Sequence, residues 1–176
     1  MALTVSYVLS AIATVLGICE PFNKKMAAVL VFNLAGNMLV GVSYLLAGGA
    51  GAISGAIICF VACIQVFINF WFARYDKKVP RIMLVIYLIS FVGVNLAIFK
   101  AWYDIFALGA AICYVFSISQ HSPGTYRILY CANSMLWITY DIMASTYGNL
   151  STHIALAVFT LISMYVNDRK SVTCKK

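Results

Sequence analysis

Asn37-Met38-Leu39-Val40-Gly41-Val42-Ser43-Tyr44, running on toward Gly51-Ala52-Ile53-Ser54, has a second copy later in the chain. That copy is Asn133-Ser134-Met135-Leu136-Trp137-Ile138-Thr139-Tyr140, running on toward Gly148-Asn149-Leu150-Ser151. Both copies lie in sequence too apolar for a soluble core. The chain has 176 residues, of which 64% are hydrophobic and 10% charged, and its mean hydropathy is +0.96. A soluble domain is about half apolar and about a quarter charged, so the excess here belongs in lipid. A repeated membrane unit matters because two equivalent halves can form a site at their interface and rock around it.

A spanning helix needs roughly 20 apolar residues, so seven spans with short turns would use nearly the whole chain. The first is expected over Val5–Cys19, closed by Glu20-Pro21-Phe22-Asn23-Lys24-Lys25, and the second over Met26–Ala47. Gly48-Gly49-Ala50 leads into a third that ends near Arg74. The most polar stretch, Arg74-Tyr75-Asp76-Lys77-Lys78-Val79-Pro80-Arg81, follows. Pro80 suits the first turn of the fourth helix, where its missing N–H costs nothing. That helix runs to about Phe99. Trp102 and Tyr103, in the next turn, suit a membrane interface. The fifth span ends near Ser119, and Gln120-His121-Ser122-Pro123-Gly124 breaks it. The sixth runs to about Thr146 and the seventh from about Leu150 to Val166.

Met1 to Tyr7 carries no Lys or Arg. The basic segment of a signal peptide is missing there, and the first apolar run reads as a retained helix. Placing the N-terminus outside puts Lys24, Lys25, Arg74, Lys77, Lys78, Arg81, Arg127, Arg169, Lys170, Lys175 and Lys176 in the cytoplasm. That is eleven of the twelve basic residues, with only Lys100 outside. The reverse orientation inverts the count, so the bias of Lys and Arg toward inside loops favours N-terminus out and C-terminus in. The same clustering accounts for the net charge of +7 without a basic stripe, which argues against a nucleic-acid partner.

The expected fold is an all-α polytopic membrane protein with seven transmembrane helices. Residues 1–78 would form one three-helix repeat, 79–100 a linker helix, 101–170 a second repeat and 171–176 a cytoplasmic tail. The single linker crossing makes the two repeats parallel, related by an axis along the membrane normal. The polypeptide would be a monomer or homodimer whose other partners are the lipid bilayer and a small polar solute.

The candidate site lies on the second and sixth helices. Asn133, Trp137, Tyr140, Asp141 and Ala144 share one helical face, and Asn37, Gly41, Tyr44, Leu45 and Gly48 form its counterpart. Both asparagines fall about 16–18 Å below the outer end of their helix at 1.5 Å per residue, near the midplane. An amide there can donate and accept toward hydroxyls, carboxylates or other amides; the alternative role is packing glue between helices. Trp137 opposite Gly41 leaves one half filled and the other open, either as a pocket wall or as volume compensation. Asp141 is read as the one acid well inside an apolar segment, and intramembrane acids are functional candidates. It would take a proton, pair with Lys100 or bind a ligand. Asn37, Asn133, Trp137, Tyr44, Tyr140 and Asp141 are therefore the expected solute-binding residues. Gln65, Asn69, Ser151, Thr152 and His153 lie on the third and seventh helices.

Other chemistries find no residues. The six cysteines, Cys19, Cys59, Cys63, Cys113, Cys131 and Cys174, lack metal spacing and read as small packing residues. Ala47, Gly51 and Gly55 form a small-residue stripe for close helix approach. No H-E-x-x-H or phosphate-binding loop is present, and no cofactor or enzymatic activity is expected.

Asn133-Ser134-Met135-Leu136-Trp137-Ile138-Thr139-Tyr140-Asp141, followed by Tyr147-Gly148, together with the stretch from Gly36-Asn37 to Gly51-Ala52, resembles the YgjV family of bacterial inner-membrane proteins over most of the chain. That resemblance implies an inner-membrane location and no established activity. The plan of three, one and three helices is also similar to SWEET and PQ-loop transporters. A Pro-Gln pair would be expected near the end of the first helix of each repeat. Glu20-Pro21-Phe22 and Ser119-Gln120-His121 stand there instead. The favoured expectation is a passive or ion-coupled transporter of a small polar solute, with Asp141 as the coupling group. The rival is a non-transporting receptor or assembly subunit that docks a ligand or partner on the same polar face.

Overall fold

The computed structural model describes residues 2–47, 50–99, 101–143 and 147–173, with side chains described outside 2–3, 44, 47, 50–55, 98, 141, 147–149 and 168–173. Among these residues the chain forms seven α-helices and one 3-10 turn. They are α1 (Ala2–Cys19), the turn Glu20–Phe22, α2 (Met26–Ala47), α3 (Ala50–Arg74), α4 (Arg81–Ile98), α5 (Asp104–Ile118), α6 (Pro123–Met143) and α7 (Tyr147–Thr173). The breaks fall where the sequence carries backbone punctuation. Pro80 holds an extended conformation just before α4 and accepts the first backbone bond from Met83 at 3.0 Å. At the end of α3, Asp76 takes φ 53°, and Lys77 N–H donates back to Phe72 at 2.8 Å. Aspartate tolerates this left-handed position better than most residues, so the helix stops without a glycine.

Four described stretches are long and apolar enough to cross a membrane: Thr4–Phe22, Met26–Ser43, Ala56–Arg74 and Leu150–Asn167. Arg81–Ala97 and Asp104–Ile118 are apolar but shorter. At 21 residues α6 has the length. It carries Arg127, Asn133 and Ser134, which are turned into the protein and buried there.

In the packing, α2 lies against both α1 and α3, and α6 lies against both α5 and α7; α4 touches α3 and α5, and α1 touches α7. Ser6 on α1 donates to the Ser43 backbone carbonyl on α2 at 2.9 Å, and the Ser10 and Ser43 hydroxyls meet at 2.7 Å. One apolar cluster joins Met26, Val29 and Leu30 of α2 to Val66, Ile118, Tyr126 and Tyr130. A second joins Ala62, Tyr87, Phe91, Ala111 and Val115 across α3, α4 and α5. Large apolar side chains such as Val8, Ile64, Ile89 and Ile128 are more than half exposed on the outside of the bundle. An exterior this apolar suits lipid, since a soluble monomer rarely shows a large continuous apolar surface.

Candidate functional site

The first asparagine, Asn37, is half-buried and already committed within the protein. Its Nδ2 donates to the Asn33 backbone carbonyl one turn back at 2.9 Å, to Asn33 Oδ1 at 2.8 Å and to the Tyr114 hydroxyl of α5 at 2.9 Å. The i, i+4 spacing puts Asn33 and Asn37 on one face of α2, and that face meets α5. Asn37 is therefore placed at a contact between the two helix groups.

Asn133 is in a different state. It is 6% exposed, and its Oδ1 has no hydrogen-bond partner among the described residues. The hydroxyl of fully buried Thr160 on α7 and Oε1 of Gln65 on α3 are likewise unpartnered there. A buried acceptor left unmade costs about 1–3 kcal/mol, so an orphaned carbonyl oxygen in an apolar protein is a position where a donor from outside would be welcomed.

One turn beyond Asn133, Trp137 stacks on His153 of α7, with ring centroids 5.5 Å apart and planes 11° apart. Tyr140 meets Trp137 edge-on at 5.5 Å and Tyr103 at 5.8 Å. Asn133, Trp137 and Tyr140 thus form one stripe that ends in aromatic rings. The counterpart position on α2 is closed. A Cβ added at Gly41 would come within 3.2 Å of Cys59 Cβ and 3.5 Å of the Phe60 ring. The space opposite Trp137 in the sequence repeat is therefore filled by α3, which makes the glycine a close-approach position and not an open pocket. The side chains of Tyr44 and Asp141, with Ala144, Gly48 and the Ala47, Gly51, Gly55 stripe, lie outside the described residues.

A group that sequence reasoning left in a loop sits at the center of this region. Glu20 is 1% exposed. The 3-10 turn that Pro21 imposes folds it back under the bundle and does not carry it into solvent. Tyr126 of α6 donates its hydroxyl to Glu20 Oε1, and Asn33 Nδ2 donates to the same oxygen at 2.9 Å. On its other side, Asn33 Oδ1 accepts from the Tyr114 hydroxyl at 2.7 Å. The path Tyr126, Glu20, Asn33, Tyr114 and Asn37 is one continuous hydrogen-bonded chain linking α6, the turn, α2 and α5. Tyr130 stacks on Tyr126 at 5.2 Å and closes it from above.

The same turn is gripped from the second helix group. Buried Arg127 donates from Nε to the Pro21 carbonyl at 2.7 Å and from a terminal nitrogen to the Asn23 carbonyl at 3.0 Å, and Ser163 of α7 also donates to Pro21. These two arginine nitrogens serve backbone oxygens. Among the described residues the one salt bridge is His121–Asp76 at 3.3 Å, in the exposed loops, and the donors to the Glu20 carboxyl there are neutral. A signal for this cluster was present in the sequence: Tyr126, Tyr130, Asn133 and Trp137 continue one α6 face at i, i+4, i+7 and i+11.

A second polar group joins α3 to α5. Asn69 Nδ2 donates to the Ile118 carbonyl at 2.9 Å and to Ser119 Oγ at 3.2 Å, and the Tyr87 hydroxyl of α4 donates to Asn69 Oδ1 at 3.2 Å. Beside it a shallow depression is lined by Lys77, Lys78, Gln120 and His121, and another lies against Trp71, Phe72, Tyr75 and Lys77. Neither reaches Asn37, Asn133 or Trp137. Among the described residues no three His, Cys, Asp or Glu side chains come together to hold a metal.

Comparison with curated proteins finds no match, and comparison with solved structures finds none. The profile of a family described as bacterial inner membrane protein, Imp-YgjV, matches residues 4–171. With an apolar exterior, a helical bundle and this match over nearly its whole length, the chain belongs to the Imp-YgjV family of bacterial inner-membrane proteins.

Proposed function

We propose that this inner-membrane protein carries a small polar solute between two parallel three-helix units, α1–α3 and α5–α7, with α4 as the linker. All seven helices cross the membrane, the N-terminus lies outside and the C-terminus lies in the cytoplasm. The reading draws support from the sequence repeat on α2 and α6 and from the matching position of those helices, each packed between the other two of its unit. Parallel repeats of this kind place substrate sites at the repeat interface.

The observation that carries the reading is the orphaned Oδ1 of buried Asn133 beside the Trp137–Tyr140 stripe. An acceptor oxygen next to aromatic edges fits a solute bearing hydroxyl or amine donors. No covalent chemistry, cofactor or metal is needed, and one chain supplies both units, so a monomer suffices. The rival, a fixed receptor or assembly subunit, draws support from Asn37, whose amide donors are already spent within the protein.

The test is uptake of radiolabelled sugars, amino acids and amines into proteoliposomes, with Asn133→Leu alongside. Uptake of one class above empty liposomes, lost in the variant, supports transport. Thermal stabilisation by one class with no uptake would favour the receptor reading.

A further inference from the structure

We propose that Glu20 is a proton-exchange site at the junction of the first turn with α2 and α6. The observation is a fully buried carboxyl with two neutral donors on one oxygen, Oε1, placed where the two helix groups meet. A buried carboxylate is normally matched by a cation or a full set of donors. Here the groups facing it are Tyr126, Tyr130 and Arg127 from α6, Tyr114 from α5 and Asn33 from α2. The turn meets α7 through Ser163 and Phe159, while Cys19 at the end of α1 is exposed. Lys24 and Lys25 follow in sequence and are exposed.

The chain has a definite sense. Asn33 gives Nδ2 to Glu20 and therefore presents Oδ1 to Tyr114 and Asn37, which both donate toward it. An ionised carboxylate has only acceptors. Adding one proton from the aqueous side turns one carboxyl oxygen into a donor. That oxygen is Oε2, because Oε1 already accepts from Tyr126 and Asn33, so both donors stay in place. The carboxyl therefore takes up and gives back a proton with the chain through Asn33, Tyr114 and Asn37 intact. The use of this site to drive solute movement rests on the transport reading; the proton site itself does not.

Glu20→Gln separates the two. Both donors sit on a single oxygen, so the glutamine carbonyl keeps them while the side chain loses its titration. The measurement is the infrared difference spectrum of the protein in liposomes between about pH 5 and about pH 9, a window wide enough to bracket a perturbed carboxyl. The expected result is a buried carboxylic C=O band that is lost in Glu20→Gln and kept in Asp141→Asn. Tyr126→Phe, which leaves the carboxyl in place, should move the midpoint of the band by about one pH unit, the tenfold effect of one hydrogen bond to a charged group. A band that survives Glu20→Gln, or none in the wild type, overturns the proton site. Neither outcome bears on whether a solute is carried, which the uptake assay reads separately.

Discussion

The Arg127 guanidinium of α6 reaches the backbone carbonyl of Pro21 at 2.7 Å, so the first turn of the chain is held by the start of its sixth helix. Arg127→Lys should lower stability by about 2 kcal/mol, because one ammonium on a flexible stem cannot serve the Pro21 and Asn23 carbonyls together. Thermal unfolding in detergent checks this, and limited proteolysis should cut faster between residues 20 and 25. An unchanged cleavage rate would mean that Ser163 alone holds the turn.

Asn133→Leu should leave the ligand-free protein as stable as wild type or stabilise it by about 1 kcal/mol, since the substitution removes a buried acceptor whose hydrogen bond is unmade. A loss of several kcal/mol would mean that the amide is packing glue. Gain of stability with loss of ligand response is the signature of a group kept for binding.

The pair Trp137 and His153, stacked at 5.5 Å, should show a coupling of about 0.5–1.5 kcal/mol in a double-mutant cycle with alanine at each position. Additive losses would show that the rings merely lie side by side.

Gly41→Ala should destabilise by about 1–3 kcal/mol, because its Cβ would meet Cys59 Cβ at 3.2 Å in a site with little room to give. Cys59→Gly should restore part of the loss, while Cys59→Ala, which keeps the Cβ, should not. Gly17→Ala should be milder despite a 2.9 Å approach, since the atom met there is the mobile tip of Leu156.

For the topology, Trp102→Cys should be labelled by an impermeant maleimide from the periplasmic side of intact cells, and Lys78→Cys only after the membrane is opened. The reverse pattern would invert the proposed orientation.

Much of the helical plan was legible because charge and small residues punctuate it. Lys24-Lys25 and Gly48-Gly49 bracket α2, which runs over Met26–Ala47 as the sequence suggests. Arg74 ends α3 for the same reason. Pro80 sits one residue earlier than anticipated, as the cap of α4, a difference within the ordinary fraying of helix ends. The candidate site was read less completely. Asn37 and Asn133 stand out by symmetry, which cannot tell that one has its amide donors spent and the other an orphaned acceptor. Glu20 was assigned to a loop because it stands five residues before Lys25 in a polar run. Its burial depends on Tyr126, a partner 106 positions away, and nothing in the local sequence announces that pairing. The aspartate that did stand out, Asp141, drew attention because it lies inside an apolar run; Glu20 lies at the edge of one.

The grip on the Pro21 carbonyl also orders events during biosynthesis. Arg127 lies 106 positions and Ser163 142 positions beyond it. At a synthesis rate of about 5–20 residues per second, α1 and α2 leave the ribosome on the order of ten seconds before either clamp exists. Through that interval Glu20 has Asn33 but not Tyr126, and the first turn has no anchor. The nascent amino-terminal half must therefore wait, with a carboxyl at the membrane edge, for the last helices to arrive. A chain truncated after α5 should be a ready substrate for the membrane's quality-control proteases, even though its first three helices are complete.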